Sequence, residues 1–268
     1  MLRVKTLYFS ATGTTEKIVK ELSECLCEKY PSEVTSLNFT LPEARAKQAV
    51  FDKNDIVIVG VPVYAGRVPN VLLKYLNTVQ GNGALAVAVT VYGNRNYDDA
   101  LIELTDILEK DDFNVIAAGA FIGEHSFSYT LGKDRPDNND LVAIHDFAHK
   151  LYLKIISGIL TSVSVTGNKP YRPYYVPKNE AGIPVDIRKV TPKTKNSCNN
   201  CKICAAVCPM GSIDRDEVAK ITGICIKCGA CIKRCPVQAK YFDDDNYLWH
   251  KQELENKFAA RREPETFI

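Results

Sequence analysis

The chain has 268 residues, of which 46% are hydrophobic and 25% charged, an ordinary composition that leaves room for one sizeable domain and a smaller one. A formal net charge of +2 is too near balance to indicate nucleic acid as a partner. The sequence has no apolar run near the ~20 residues that span a bilayer, and MLRVKTLYFS lacks the apolar core of a signal peptide. We therefore expect a cytoplasmic protein without a membrane span.

Roughly the first 160 residues alternate strand and helix patterns. Apolar, β-rich runs lie at Val4–Phe9, Val34–Phe39, Asp55–Val61, Ala84–Val91 and Val115–Ile122. Helical patterns lie between and after them, at Glu16–Lys29, Pro69–Val79, Tyr97–Lys110 and about 139–160. Apolar strands separated by helices are typical of a parallel sheet covered on both faces. We predict an α/β fold with a flavodoxin-like, doubly wound, five-stranded parallel sheet, whose ligand lies beyond the carboxyl ends of the strands.

The turn SATGTT, residues 10–15, leads from the first strand into a helical pattern. Hydroxyls and backbone N–H groups at a helix N-terminus favour anions, so we expect a phosphate there. The turn has neither the G-x-x-x-x-G-K-[ST] of a Walker A loop nor the G-x-G-x-x-G of a Rossmann site, which disfavours ATP and dinucleotides. A hydroxyl-capped helix start without a ligand is the alternative, because Ser and Thr are good N-caps.

Two further loops follow the third and fourth strands, where a doubly wound sheet places its ligand. VPVYAGRVPN, residues 61–70, and TVYGNRNYDDA, residues 90–100, each carry glycine, tyrosine and amide donors. Such groups suit the flat face and the polar edge of an isoalloxazine ring. His125, after the fifth strand, either exchanges a proton with the ring or anchors its loop. Arg67 and Arg95 either neutralise a reduced flavin or are surface charges.

The composition changes in the segment 163–193, which contains five prolines between Pro170 and Pro192. Because proline fixes φ and removes a donor, this pattern indicates an extended, semi-rigid connector. Three tyrosines, at positions 171, 174 and 175, favour packing against a domain, and a solvated linker is the alternative. A last helical pattern, Leu248 to Arg262, is interpreted as a docking or solvated cap.

Eight of the ten cysteines lie in two matching segments, CNNCKICAAVCP at 198–209 and CIKCGACIKRCP at 225–236. Both read C-x2-C-x2-C-x3-C-P, the bacterial ferredoxin run, in which the fourth cysteine reaches the other cluster. Zinc needs only four ligands in one tetrahedron, and disulfides are disfavoured in a chain without an export signal. The predicted ligands are Cys198, Cys201, Cys204 and Cys235 for cluster one, and Cys225, Cys228, Cys231 and Cys208 for cluster two.

The cysteine segment resembles a two-[4Fe-4S] bacterial-type ferredoxin over its whole length, which implies one-electron transfer at low potential by each cluster. The SATGTT turn resembles the flavodoxin phosphate loop, T/S-x-T-G-x-T, which implies that the phosphate of FMN binds there. The loops at 61–70 and 90–100, called the ring loops below, resemble those of flavodoxin–ferredoxin fusion proteins of anaerobic microbes. The same resemblance holds for GAFIGEHSFS at 119–128 and for PYRPYYVP in the connector. This resemblance covers nearly the whole chain.

We therefore predict a flavodoxin-like FMN domain over residues 1–162, a Pro-rich connector over 163–193, a two-[4Fe-4S] domain over 194–243 and a C-terminal helix over 244–268. The predicted FMN contacts are Ser10, Thr12, Gly13, Thr14, Thr15, Pro62, Val63, Tyr64, Gly66, Thr90, Tyr92, Gly93, Asn94, Tyr97 and His125. Whether the ring of Tyr64 or of Tyr92 covers the flavin stays open.

The predicted function is a relay of single electrons between two [4Fe-4S] clusters and FMN, with redox proteins as donor and acceptor. The alternative is an FMN-dependent reductase in which the clusters feed the flavin and a small molecule is reduced. A homodimer also stays open at this point.

Overall fold

A computed structural model of the chain describes residues 2–30 and 32–268. The first half alternates strands and helices: β1 (Arg3–Tyr8), α1 (Thr14–Lys29), β2 (Thr35–Asn38), a 3-10 helix (Pro42–Ala46), β3 (Asp55–Pro62), α2 (Asn70–Leu76), β4 (Leu85–Tyr92), α3 (Ala100–Lys110), β5 (Asn114–Ile122) and α4 (Asn138–Ser157). The second half is built from shorter elements around one longer helix: β6 (Lys193–Thr194), α5 (Ile203–Ala206), α6 (Ala230–Lys233), β7 (Lys240–Tyr241), α7 (Asp245–Lys257) and β8 (Glu265–Phe267).

Strands β1 to β5 form a parallel sheet in the order β2-β1-β3-β4-β5, which confirms the flavodoxin-like, doubly wound fold. Both β3 and β4 are buried along almost their whole length because helices cover both faces of the sheet. One face packs against α1 and α4, and the other packs against α2 and α3. The strand order reverses between β1 and β3, so the crevice for a ligand opens beyond their carboxyl ends.

Helix α1 packs closely on the sheet at Gly60 in β3. A Cβ built on Gly60 would lie 2.3 Å from Cγ2 of Val19, so no larger residue fits without a shift of the helix. The close approach brings the start of α1, and the turn that precedes it, to the crevice between β1 and β3.

The sheet also has a sixth strand, which the sequence-based prediction missed. Strand β8 pairs antiparallel with β5, with Ala118 opposite Phe267 and Ala120 opposite Glu265. The five predicted strands are therefore the parallel part of a six-stranded mixed sheet. The segment 244–268 is a helix followed by a strand, and the prediction of a helix alone was wrong for its last residues.

Helix α7 begins and ends earlier than the pattern at 248–262 indicated. Asp244 caps it, since its carboxylate accepts the backbone N–H of Tyr247 at 2.9 Å, and the acidic run DDD thereby becomes the start of the helix. The side chains of Tyr247, His250 and Leu254 are buried, so α7 is docked. Among the described residues, no helix combines the length and the apolar character that crossing a membrane requires.

The proline-rich connector packs against the first domain, as its tyrosines indicated. The Tyr171 hydroxyl donates to Asp106, and the Tyr174 hydroxyl donates to the carbonyl oxygen of Val68 at 2.8 Å. The guanidinium carbon of Arg67 lies 4.6 Å and 5.0 Å from the centres of these two rings. The connector therefore holds a defined path from α4 to the cysteine segment.

Candidate cofactor sites

The predicted phosphate turn lies at the carboxyl end of β1 and leads into α1. Gly13 is the N-cap residue of α1 and has a φ of +94°, which glycine adopts without strain. The turn is held from behind, because the N–H of Ser10 donates to Oγ1 of Thr40 at 2.8 Å and Oγ of Ser10 accepts the N–H of Glu16 at 3.0 Å. The N-cap residue Gly13 has no side chain, and Ser10 occupies the N–H of Glu16 alone, so among the described residues the N–H groups of Thr14 and Thr15 are left for an anion.

The space in front of the turn also fits a phosphate group. A Cβ built on Gly13 would have one atom within 4 Å among the described residues beyond its chain neighbours, namely Nη2 of Arg234 at 3.6 Å. The hydroxyls of Thr12, Thr14 and Thr15 belong to the same turn. The donor set of this turn, hydroxyls and backbone N–H groups, is that of a phosphate cradle.

Tyr64 follows β3, after Pro62 and Val63, and lies in a tight turn. Its N–H and carbonyl oxygen exchange hydrogen bonds with those of Arg67, at 3.0 and 3.1 Å. Its half-buried ring packs on the core cluster that also contains Cys228 and Ala230 of the cysteine segment. Burial, together with the Cys228 and Cys225 thiols, raises the pKa of the Tyr64 hydroxyl well above its usual range. Tyr64 thus lies beside the cysteine segment.

The loop after β4 forms hydrogen bonds with the C-terminal segment. The Asn94 side chain, 2% exposed, donates to the carbonyl oxygens of Phe258 at 2.6 Å and Ala260 at 2.9 Å, and accepts the N–H of Arg262 at 3.3 Å. Its amide is therefore occupied, and the predicted role of this side chain as a donor to the ring is not supported. Only the backbone of Asn94 is left for a cofactor.

The tyrosines of the same loop are buried in the first domain. The rings of Tyr92 and Tyr97 lie 5.6 Å apart, and the Tyr97 hydroxyl donates to Glu265 of β8 at 2.7 Å. Thr90 is fully buried inside β4, and its hydroxyl has no hydrogen-bond partner among the described residues. An added Cβ at Gly66 would lie 2.4 Å from Oδ2 of Asp98, so this glycine permits close packing within the loops.

His125 lies against the loop after β4. A Cβ on Gly93 would be 2.3 Å from Cδ2 of His125, so the imidazole covers that glycine. The Nδ1 atom accepts the N–H of Phe127 at 3.1 Å. Burial, followed by the positive charge of Lys233, lowers the pKa of His125 to about 3. The imidazole is therefore neutral at physiological pH, and its contacts favour the anchoring role over proton exchange.

The two arginines that were candidates to neutralise a reduced flavin are engaged elsewhere. Arg67 pairs with Glu103 at 2.6 Å, and both side chains are nearly buried. Arg95 pairs with Asp98, and its guanidinium carbon lies 5.2 Å from the centre of the Tyr175 ring. Arg67 and Arg95 therefore fix the connector and the ring loops rather than serve as free cations.

Four cysteines from both runs line one cavity in the second half of the chain, namely Cys208, Cys225, Cys228 and Cys231. They are the set that the sequence predicted for cluster two. Apolar side chains, among them Ile213 and Phe242, complete the wall. Burial raises the pKa of the Cys228 thiol to about 12, so this cavity requires positive charge, such as that of iron, to hold thiolates.

The other four cysteines differ in their exposure. Cys204 is buried, Cys198 and Cys235 are half-buried, and Cys201 is exposed. Burial raises the pKa of Cys204, and the neighbouring Cys198 and Cys201 raise it further against the effect of Lys240.

The fourth cysteine of each run accepts the N–H of the residue four positions later. Sγ of Cys235 accepts that of Ala239 at 3.2 Å, and Sγ of Cys208 accepts that of Ser212 at 3.4 Å. These bonds repeat in the two runs, and N–H donors to sulfur are the groups that tune an iron–sulfur potential.

The cysteine segment docks on the same edge of the sheet as the ring loops. A Cβ on Gly229 would lie 2.5 Å from the carbonyl oxygen of Ser126, so the start of α6 touches the loop after β5. The ammonium of Lys233 pairs with Glu124 and donates to the carbonyl oxygens of His125 and Ser128, both at 2.8 Å. The cysteine cavity and the predicted flavin site are therefore neighbours.

A further contact joins the cysteine segment to the loop beyond β2. Nη2 of Arg45 donates to the carbonyl oxygen of Pro209 at 2.5 Å. Sequence reasoning missed Arg45, Lys233 and the carbonyl groups that receive them. Such contacts join distant parts of the chain and leave no periodic pattern in the sequence. The adjacent basic residues Lys233 and Arg234, directly before Cys235, were the one available sign of such a contact.

Comparisons with known proteins cover both halves of the chain. A family model described as "Flavodoxin domain" matches residues 6–100, and one described as "4Fe-4S dicluster domain" matches residues 197–240. A search of curated proteins found no match.

Similar solved structures include a flavodoxin from the domain Archaea, with 13% identity over 58% of this chain and 99% of that chain and a TM-score of 0.41. A flavodoxin of Streptococcus pneumonia TIGR4 has 19% identity over 56% of this chain and 98% of that chain, with a TM-score of 0.40. The apo form of an NADH:FMN oxidoreductase (EMOB) has 16% identity over 57% of this chain and 90% of that chain, with a TM-score of 0.42. The two family matches show that this chain carries a flavodoxin domain and a 4Fe-4S dicluster domain in one polypeptide, the make-up of a flavodoxin–ferredoxin fusion protein.

Proposed function

We propose that this protein transfers single electrons between two [4Fe-4S] clusters and FMN within one chain. When bound, FMN exchanges two electrons one at a time, and each cluster exchanges one. The observation that carries the proposal is the position of the four-cysteine cavity. It lies against Tyr64, after β3, and against the loop after β5, which is where the doubly wound sheet offers its ligand crevice.

The first domain would bind both the phosphate and the ring of FMN. The turn at residues 10–15 would bind the phosphate through N–H groups and hydroxyls. Around the ring we propose Pro62, Val63, Tyr64, Gly66 and Gly93, the backbone of Asn94, and His125, with Thr90, Tyr92 and Tyr97 supporting them from the core. Tyr64 is favoured over Tyr92 as the residue that covers the ring, because Tyr92 is only 4% exposed.

For the second domain we propose the two crossed ligand sets that the sequence predicted. The cavity with Cys208, Cys225, Cys228 and Cys231 supports the set of cluster two. Its apolar wall would exclude water, and the N–H groups that face Cys208 and Cys235 would stabilise thiolates. Eight cysteines without disulfides suit a reducing compartment, so we place the protein in the cytoplasm.

The exposed side of cluster one would meet redox proteins. Cys201 is exposed, as are its neighbours Asn200 and Lys202, whereas Cys228 and Cys231 are buried toward the flavodoxin domain. A donor or acceptor protein would thus approach cluster one, with cluster two between it and the flavin. The alternative, a reductase of a small molecule, gains no support from Arg67, because this side chain is paired with Glu103 and is not a free cation beside the flavin.

We propose that the chain consists of an FMN domain at 1–162, a connector at 163–193 and a two-[4Fe-4S] domain at 194–243. A helix and a strand follow within 244–268. The last strand returns to the sheet of the first unit.

An anaerobic reductive titration with visible spectra tests this function. One FMN and two clusters should take up about four electrons per chain, with bleaching of both flavin and iron–sulfur absorption. Uptake of about two electrons with flavin bleaching alone would contradict the proposal for the cysteines. Reduction without any flavin signal would contradict the proposal for the first domain.

A further inference from the structure

We infer that Arg234, which belongs to the iron–sulfur segment, is a ligand of the FMN phosphate. This inference rests on the function proposed above, and it adds a cation to a phosphate turn that has none of its own. Nη2 of Arg234 is the atom that a Cβ on Gly13 would meet first across the open front of the turn, at 3.6 Å. A phosphate bound to the N–H groups of this turn would lie next to the guanidinium.

The backbone of Arg234 is held by the residues around it, while its side chain is exposed. Arg234 is the C-cap residue of α6, directly after Lys233. Lys233 is bound by Glu124 and by two carbonyl oxygens of the loop after β5, and Gly229 at the other end of α6 abuts Ser126. Both ends of this short helix are thus held on the flavodoxin domain, so the guanidinium is brought to the turn by the docked backbone.

The guanidinium of Arg234 has no hydrogen bond or ion pair within residues 2–30 and 32–268. By contrast, the other arginines near the sheet edge are paired: Arg67 with Glu103, Arg95 with Asp98, Arg135 with Asp140 and Arg261 with Asp137. A guanidinium presents a planar fork of donors that fits two phosphate oxygens. Arg234 therefore has both the position and the free donors that a phosphate ligand needs.

Nearby charges leave Arg234 available. Glu16 is the carboxylate in the first turn of α1, and it is engaged by Lys20 at 2.6 Å and by the hydroxyl of Tyr8 at 3.0 Å. Lys17 points away from the turn and donates to the carbonyl oxygen of Pro136 at 3.0 Å. Among the charged side chains that the structure describes close to the turn, Arg234 is thus the one whose cation can face the phosphate.

A phosphate held from both domains links flavin binding to docking of the iron–sulfur segment. A ligand that contacts both domains stabilises the arrangement in which both contacts exist. FMN would therefore strengthen the contact between the two domains, and riboflavin, which has the same ring without the phosphate, would not do so to the same degree.

The test compares FMN with riboflavin on Arg234→Gln and on the wild-type protein, after the flavin is removed and the clusters are kept. Affinity is measured by quenching of flavin fluorescence. Loss of charge-assisted hydrogen bonds should weaken FMN binding roughly 10- to 100-fold. Riboflavin should bind both proteins equally, and Arg234→Lys should restore part of the FMN affinity. Arg215→Gln, an exposed change on the same segment, is the matched control and should leave both affinities unchanged.

Because Arg234 precedes Cys235, iron and sulfide are measured in every variant. Equal FMN affinity in Arg234→Gln and wild-type protein would overturn the inference and leave the proposed function intact. An equal loss of FMN and riboflavin affinity would also overturn it, because Arg234 would then act on the ring or on the fold. Failure of the wild-type protein to bind FMN would instead remove the proposed function itself.

Discussion

The two halves of this chain are stabilised in different ways. The flavodoxin domain buries two large apolar clusters, one on each face of its sheet. The cysteine segment has two-residue strands, four-residue helices and a core of five buried residues: Cys204, Ala205, Ile213, Val218 and Cys231. Two of these five are proposed cluster ligands. The first half can therefore fold on its own apolar burial, whereas the second depends on metal and on docking.

Removal of iron should separate the two halves most clearly. Chelation under anaerobic conditions should abolish amide-exchange protection in residues 194–243, because that segment has little core of its own. Protection in β3 and β4 should persist. Hydrogen exchange followed by mass spectrometry measures both regions in one sample. Retained protection in the cysteine segment after loss of all iron would show that this segment does not depend on metal for its fold.

Substitution of one proposed ligand tests how the cysteines are shared. Cys208→Ala should remove the cluster built on Cys225, Cys228 and Cys231, and iron should fall from about eight to about four atoms per chain. Iron analysis and electron paramagnetic resonance of the reduced protein would identify the cluster that remains. Cys27→Ser, in α1, is the control and should keep all iron. Loss of the other cluster alone would show that the crossed assignment is wrong.

A change in the phosphate turn should affect the flavodoxin domain alone. Gly13→Val should weaken FMN binding tenfold or more, because a β-branched residue is strained at a φ of +94° and its side chain enters the phosphate space. Flavin fluorescence gives the affinity, and iron content serves as the control that the second half is unaffected. Unchanged FMN affinity would rule out the turn as the phosphate site.

Lys233 tests the contact between the halves. Lys233→Met should lower the free energy of unfolding by about 1–3 kcal/mol, because Glu124 and two carbonyl groups lose their donor in a largely buried site. Denaturant titration measures the loss. Lys257→Met removes an exposed ion pair and should cost much less than Lys233→Met. Equal costs for the two variants would mean that the Lys233 contact contributes little.

His125 gives the smallest expected effect. Its pKa is about 3 in the folded protein, below the ordinary value, so the unfolded chain binds a proton first and stability falls as the pH decreases through about 6.5. Between pH 7 and 6 the loss should be about 0.7 kcal/mol. His125→Gln should remove this part of the pH dependence in denaturant titrations. An identical pH dependence in the variant would show that His125 is not buried as described.

The regular part of this molecule could be predicted from its sequence, and the contacts between its parts could not. Apolar runs located all five parallel strands within two residues, because buried parallel strands are apolar throughout. The spacing of the cysteines indicated the set that lines the cavity. Strand β8 is three residues long and has no periodic pattern. Asn94 looked like a ring donor because its use by Phe258 and Ala260 depends on a contact with the far end of the chain.

Strand β8 has a consequence for the order in which the protein is made. During synthesis it leaves the ribosome after all eight cysteines of the two runs, and domains generally begin to fold from the N-terminal side. Until then, the edge of β5 lacks its partner at Ala118–Ala120, and an open edge can pair with another chain. The nascent protein closes its own sheet only after the iron-binding segment has been synthesised.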